Sequence, residues 1–537
     1  MHSIERALIF QAEKLKERQQ QKKAITVLLN GINKHKSEKF SNNFHTYLAN
    51  LYLDEKNFLQ SARFLARAME CCEDSTPQKD LFRLLEGNNA AAKEDSLYLM
   101  YRLAMCEEIN NQLRARLKQL ITRGMFIGTK TALTHHDLIS LHTKILDEVP
   151  DIKWEKLPAQ KNNDVMLLCS QFLGKEHAPT HMALGIAKHV KEMGYNPILI
   201  CLNSWDIDDK YKGGSFVMNK HSHYSRHRDF DLDLNQHSTP EYPFSTVKYQ
   251  DEQYPFFFIE MPFEKKLIQL PYLFSDAINN ENVMISVGTN DICFDILGRY
   301  TKIYAYPTSS SLPITLTTYP SMYRTLSEQE IEITSNKEHY PYGVVRAGSP
   351  YEIKTPYEDI DRSNLPENIE YIIVGYRLEQ EIDEAFIKRL AMIRHAYPSS
   401  TFRFVGAITN KELFIERMLA HRIPDSAIIL EGQSSNMRKS LSNANFYLNP
   451  KRIGGGASGF EALALNIPVI SYPYGDVYHA CGHRSGFEDD HAVMSFINRY
   501  MNDMTFRKEI SLYCKTQFLS RENPKKTITD VTRGALQ

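Results

Sequence analysis

The chain has no CxxC pair, no long apolar run and no excess charge of either sign, and each absence removes a class of protein. Its eight cysteines are scattered, with only Cys71 and Cys72 adjacent. Such spacing offers neither a zinc knuckle nor a disulfide framework, so a reduced, cytoplasmic protein without structural zinc is the expectation. No apolar stretch approaches the ~18 residues that cross a bilayer, and runs such as Phe256 to Ile259 are strand-sized. The start, Met1-His-Ser-Ile-Glu-Arg6, lacks the apolar core of a signal peptide. With 64 basic and 65 acidic side chains the formal net charge is −1, which gives no electrostatic case for nucleic acid or a membrane surface. No GxxxxGK followed by Ser or Thr occurs, which speaks against a P-loop ATPase. The lack of a GxGxxG after an early strand leaves a dehydrogenase little support.

What is present is a glycine loop of a different kind. Asn445-Phe-Tyr-Leu448 suits a buried strand, Gly454-Gly-Gly456 a turn, Ser458 to Leu465 a helix, and Pro468 to Tyr472 a following strand. Three glycines remove every Cβ where the chain must turn and approach a ligand closely. The first amides of the helix would point back into the loop, where unpartnered N–H groups and the helix dipole attract anions. Lys451 and Arg452 add positive charge beside the same spot. A phosphate or diphosphate is the simplest ligand, and a structural glycine turn is the plain alternative.

A chain of 537 residues suggests about three domains. Residues 1–155 are glycine-poor and carry apolar residues at helical spacing. His45, Leu48, Ala49 and Tyr52, with Ser61, Leu65 and Ala68 on a partner helix, fit one tetratricopeptide-like (TPR-like) repeat, although His45 stands where Trp is usual. A generic helical bundle is the other reading. After a polar linker from Glu155 to Asn163, strands at Val165–Cys169, Pro197–Leu202, Val283–Val287 and Lys302–Tyr306 alternate with helices, which implies a parallel sheet covered on its faces. A second such unit starts near Ile369. We therefore expect an α/β protein: a helical domain at 1–155, Rossmann-like domains at 160–345 and 365–520, and a tail at 521–537. The cleft between the α/β domains, at the carboxyl ends of their strands, is the expected ligand site.

The first strand of the first α/β unit leads into Gly174-Lys-Glu-His-Ala-Pro-Thr-His-Met182, with His177 and His181 four residues apart. Such a pair can be structural, can bind zinc if a third ligand is near, or can move a proton near neutral pH. No HExxH-type third ligand is visible. Asp206-Ile-Asp208 and Asp229-Phe-Asp231 resemble a DxD metal motif but lie in a polar insertion, and the His221 to Arg228 cluster reads as a surface loop.

These segments, in this order, resemble the catalytic region of family 41 glycosyltransferases, the O-GlcNAc transferases and bacterial adhesin glucosyltransferases. The strand-Gly-x-x-His-x-Pro-Thr-His pattern is similar to the family's opening, Ile303-Tyr-Ala-Tyr-Pro-Thr-Ser-Ser-Ser311 to a later loop, and the Asn449 to Ser458 stretch to the donor loop. The resemblance covers roughly residues 165 to 485 and implies a GT-B fold. It implies transfer of a hexose or N-acetylhexosamine from a nucleotide diphosphate, UDP foremost, to a hydroxyl or amide, with inversion. It further implies no cofactor and no metal. His177 and His181 would then be catalytic, and Arg377, Lys451, Arg452, Gly454, Gly455, Gly456, Ser458 and Glu461 would bind the donor. The departures are Gly454-Gly-Gly-Ala-Ser458 where the O-GlcNAc enzymes have Asn-Gly-His-Thr-Thr, and Arg377 as the nearest cation to a missing lysine. Ile453 stands where family 4 retaining enzymes place a glutamate. The expected partners are the nucleotide sugar and a protein or glycan acceptor, with protein favoured. The alternatives are a transferase building capsule or lipopolysaccharide glycans, and a GT-B scaffold or chaperone without activity.

Overall fold

The computed structural model describes residues 2–35, 40–71, 76–85, 95–126, 131–153, 162–172, 178–202, 204, 232–234, 244–249, 251–259, 261, 263–348, 356–362, 364–375, 378–434, 436–520 and 525–530. The first described segments are helices alone, from His2–Glu17 to His135–Asp147. Asn42–Asp54 and Phe58–Glu70 form a helical hairpin with His45, Leu48 and Ala49 buried on one arm and Ser61, Leu65 and Ala68 on the other. Tyr52 stacks on Phe64 with ring centroids 5.6 Å apart. Ser41 and Asn57 cap these helices by accepting from Phe44 N and Gln60 N, which satisfies first-turn amides that lack a helical partner.

The strands are β1 (Asp164–Cys169), β2 (Asn196–Cys201), β3 (Leu232–Leu234), β4 (Phe244–Tyr249), β5 (Glu252–Phe258), β6 (Val283–Val287), β7 (Ile303–Tyr306), β8 (Tyr319–Met322), β9 (Val345–Arg346), β10 (Glu370–Val374), β11 (Thr401–Val405), β12 (Ile428–Gly432), β13 (Phe446–Leu448) and β14 (Val469–Ile470). They make a nine-stranded sheet ordered β3-β4-β5-β2-β1-β6-β7-β8-β9 and a five-stranded sheet ordered β12-β11-β10-β13-β14. The smaller sheet is parallel throughout. The larger is parallel from β5 to β9, with β3 and β4 added antiparallel at one edge. Among the parallel strands of each sheet the order reverses once, between β1 and β6 and between β10 and β13. Loops diverge at such a switch point and leave a crevice at the carboxyl ends of the strands.

Side chains alternate across a strand, so β1, β2 and β6 feed two cores. Val165, Leu167, Leu199 and Ile285 enter one core with Leu184 and Ile186 of the Ala178–Glu192 helix. Leu168, Ile200 and Met284 enter the other, which also contains Leu117, Leu120, Ile121, Leu138, Leu141 and Ile145 of the N-terminal helices. The expected separate domain at 1–155 therefore shares its core with the first α/β unit. A polar seam strengthens this joint. His142 Nε2 meets Asp295 Oδ2 at 2.6 Å, Lys118 Nζ donates to Asn290 O at 2.9 Å, and Arg299 donates to Leu146 O at 2.7 Å. Burial works against the Asp295 charge, yet hydrogen bonds from His142, Thr315 and Thr317 hold its pKa below the ordinary value.

The second sheet has its own core, built from Tyr371, Ile373, Phe402, Phe446, Leu463 and Ile497 among others. Residues 521–537, expected as a tail, include a helix at 525–530. Its Ile528 is buried in the core of the first α/β unit, Thr527 O accepts from Tyr306 Oη at 3.3 Å, and Lys525 pairs with Glu192. The chain thus returns from the second unit to the first. Among the described residues no helix is long and apolar enough to cross a membrane.

Candidate functional site

The smaller sheet places the glycine loop at its switch point. β10 and β13 are neighbours; the loop that leaves β10 begins at Gly375, and the loop that leaves β13 runs from Asn449 to Gly455. The helix after the second loop spans Gly456–Ala464, with Gly455 as its N-cap at φ +99° and no side-chain cap. Only glycine holds that conformation without strain. By helix geometry the first-turn amides have no partner within the helix, so they point a partial positive charge out of the loop. Ser458 does not cap them. Its Oγ donates back to Gly455 O at 3.0 Å and meets Tyr447 Oη at 2.8 Å.

The loop's two cations behave differently. Lys451 is half-buried, its Nζ 5.8 Å from the Tyr472 ring centroid. Arg389 lies on the same ring at 4.7 Å and is held by Asp490. Arg452 is turned inward, a correction to its expected role as a donor-facing cation. Its Nε donates to Asn449 Oδ1 at 3.0 Å, Nη1 to Glu381 Oε2 at 2.5 Å and Nη2 to Val374 O at 2.5 Å. The pair with Glu381 is almost completely buried. Its guanidinium therefore braces the β10 loop against the β13 loop. Burial opposes the Arg452 charge, but Glu381 beside it raises the pKa.

The brace also explains a glycine. A Cβ on Gly455 would stand 2.6 Å from Arg452 Nη2, so that position is closed by protein. A Cβ on Gly456 would meet Asp476 Cβ at 2.9 Å, and one on Gly454 would meet Phe126 Cζ at 2.6 Å. Phe126 ends the Asn111–Phe126 helix, so an N-terminal helix reaches the glycine loop. Glu461 is buried within the Gly456–Ala464 helix.

Asp476 links the two α/β units. Its Oδ1 accepts from Ser310 N at 2.6 Å and from Tyr323 Oη at 3.1 Å, and its amide donates to Ile453 O at 2.5 Å. Burial pushes its carboxyl up to about 6, against hydrogen bonds from Ser310 and Tyr323 and the charge of Arg452. Ser310 stands in the loop after β7, so this carboxylate ties the β7 loop to the glycine loop.

On the opposite side, β1 ends at the other switch point. His181 lies in the first turn of the Ala178–Glu192 helix that follows, its ring 6.2 Å from that of Tyr249 on β4. It thus faces the antiparallel edge of its own sheet. His177 and Arg377 lie outside the described residues, as do Asp206 to Asp208, the His221 to Arg228 cluster and Asp229 to Asp231. Among the described residues no group of three or more His, Cys, Asp or Glu side chains could hold a metal.

The whole architecture matches a known one. An O-GlcNAc transferase mutant of Thermobaculum terrenum aligns over 99% of this chain and 96% of its own, with a TM-score of 0.53 at 9% identity. The fold is GT-B. The helices ahead of the two units fall within the aligned length. Two further alignments cover less of this chain. A glycosyltransferase of Rickettsia africae covers 70% of this chain and 98% of its own at 12% identity and a TM-score of 0.43. A pneumococcal O-GlcNAc transferase, GtfA, solved with UDP and GlcNAc, covers 70% and 99% at 10% identity and a TM-score of 0.43. No protein-family model matches the sequence, and no curated protein matches it. The unit of β1–β9 is called the acceptor half and the unit of β10–β14 the donor half, after the roles that the sequence resemblance leads us to expect.

Four contributors to this site were missed in the sequence. Glu381 lies 71 residues from the arginine it neutralises, and Phe126 belongs to another domain of the chain. Neither left a signal. Asn449 stands inside the glycine motif itself, and Tyr472 lies two residues beyond β14. Both could have been found by asking what holds the two cations.

Proposed function

We propose that the protein is a glycosyltransferase that binds a UDP-sugar at the glycine loop and transfers the sugar, with inversion, to a protein. The observation that carries the reading is the uncapped N-terminus of the Gly456–Ala464 helix at the switch point of a GT-B donor half, with Lys451 at its rim. As the glycosidic bond breaks, charge grows on the leaving diphosphate. Fixed amide dipoles and a nearby ammonium stabilise that charge without reorganising, so the reaction needs no metal. Arg377 would add a second cation. His177, just before the Ala178–Glu192 helix, would take the acceptor proton. The hairpin helices ahead of the halves support a protein as acceptor.

Calorimetry with UDP and single-turnover transfer in EDTA test this together. UDP should bind, and Lys451→Ala should weaken it roughly tenfold, as expected for one charge-assisted contact. His177→Ala should leave UDP affinity unchanged and slow transfer by roughly 10²-fold. A folded protein that binds neither UDP nor another nucleoside diphosphate ends the reading.

A further inference from the structure

We propose that Phe126 is a positioning residue for the glycine loop, so that the N-terminal helices set the geometry of the donor site. This rests on reading that loop as the donor site. The Asn111–Phe126 helix is fixed to the acceptor half along its length. Leu117, Leu120 and Ile121 lie in the shared core. Lys118 Nζ donates to Asn290 O at 2.9 Å beyond β6, and Gln119 Nε2 to Ser204 O at 3.0 Å beyond β2. Only the end of the helix leaves that half, and it meets the other half at the residues just before the Gly456–Ala464 helix.

The contact is made by backbone and ring together. Ile453 N donates to Phe126 O at 3.0 Å, and the Phe126 ring fills the space beside Gly454, 2.6 Å from where its Cβ would be. Arg123, one turn back, places its guanidinium 5.7 Å from the ring centroid. The carbonyl of Ile453 is in turn held by Asp476 N at 2.5 Å. Ile453 is therefore held at both its amide and its carbonyl, by the end of the Asn111–Phe126 helix and by Asp476 in the first turn of the Gly475–Cys481 helix. The main chain from Ile453 to Gly456 decides where the first-turn amides aim. A shift of the Asn111–Phe126 helix must pass into those amides, because the helix is anchored at Lys118 and Gln119. Phe126 has no group that could serve the chemistry, so its role is to hold Gly454 and Ile453 in place.

The test compares four full-length proteins: wild type, Phe126→Ala, Gly454→Ala and the double variant. The first readout is hydrogen exchange of residues 451–458 without ligand; the second is UDP affinity. Phe126→Ala should speed exchange in that segment and lower UDP affinity about fivefold, a loss typical of coupled neighbours. Gly454→Ala forces the ring aside and should cost a similar factor. That factor should vanish in the Phe126→Ala background, which a merely structural loss would not produce. Unchanged loop exchange in Phe126→Ala, or losses that simply multiply in the double variant, overturns the inference. If wild type binds no UDP while exchange still responds to Phe126→Ala, the donor reading fails and the positioning contact stands.

Discussion

The two α/β halves share a topology and differ in what covers them. Each has a parallel sheet with a switch point, to which the acceptor half adds β3 and β4 antiparallel at one edge. The donor half closes its core with helices of its own, such as Glu384–Ala396, Gly456–Ala464 and Asp490–Asn502. The acceptor half leaves Leu168, Ile200 and Met284 to be covered in part by helices from the start of the chain, and it takes Ile528 from the end. Sheets of the same kind can thus be self-sufficient or borrowed into one body. The N-terminal helices are a layer of the acceptor half before they are anything else, and through Phe126 they touch the donor half as well.

The largest effect should come from removing that layer. A chain beginning near residue 160 exposes the apolar face of β1, β2 and β6 and leaves Asp295 without His142. Only ~5–15 kcal/mol holds a domain folded, so without that cover its acceptor half should be aggregated or molten. A donor-half fragment of residues 356–520 should unfold cooperatively. Near-ultraviolet circular dichroism and thermal melts distinguish the two. A soluble 160–537 chain with sharp melting would break the comparison.

A smaller effect separates the two neighbouring cations of the glycine loop. Arg452→Ala removes the buried guanidinium beside the Glu381 carboxylate and frees Val374 O, which should destabilise the donor half by roughly 3–5 kcal/mol. Lys451→Ala, at the rim, should change stability by less than about 0.5 kcal/mol and act on ligand affinity alone. Urea unfolding of both variants checks the contrast. Equal losses would mean that Arg452 is no more a brace than its neighbour.

The contrast between Lys451 and Arg452 also marks how far the sequence could be read. Apolar runs such as Tyr371 to Val374 and Val283 to Val287 announced buried parallel strands, because such strands have no polar face. The glycine loop and its helix were visible through backbone requirements that only glycine meets. The direction of a side chain was not. Lys451 and Arg452 are adjacent and alike in charge, and what turns one inward is a glutamate far away in the chain. The cover of the first sheet was equally invisible, since the apolar stripe of the Asn111–Phe126 helix reads the same whether it packs on other helices or on a sheet. The edge strands β3 and β4 fall in or beside a polar segment that gave no clear period, and β9 is only Val345–Arg346.

The smallest effect concerns the carboxylate that joins the halves. Asp476 is buried between Gly456, Ser310 and Tyr323, with Arg452 nearby, and its pKa rises from the ordinary 3.8 to about 6. Burial is the main cause. The native value lies above that of the unfolded chain, so between pH 4 and 6 the folded protein binds more protons than the unfolded one, and stability contributed by this group falls as pH rises. The cost of its charge is fully present above pH 6 and is relieved as pH drops toward 4. Asp476→Asn keeps an oxygen to accept from Ser310 N and Tyr323 Oη but carries no charge. It should therefore be more stable than wild type at pH 7.5, by at most about 3 kcal/mol. The difference should shrink through pH 6 and close near pH 4. Thermal melts of both proteins across that range measure it. A difference that stays constant with pH would show that the joint between the halves is held by packing, with the Asp476 charge playing no part.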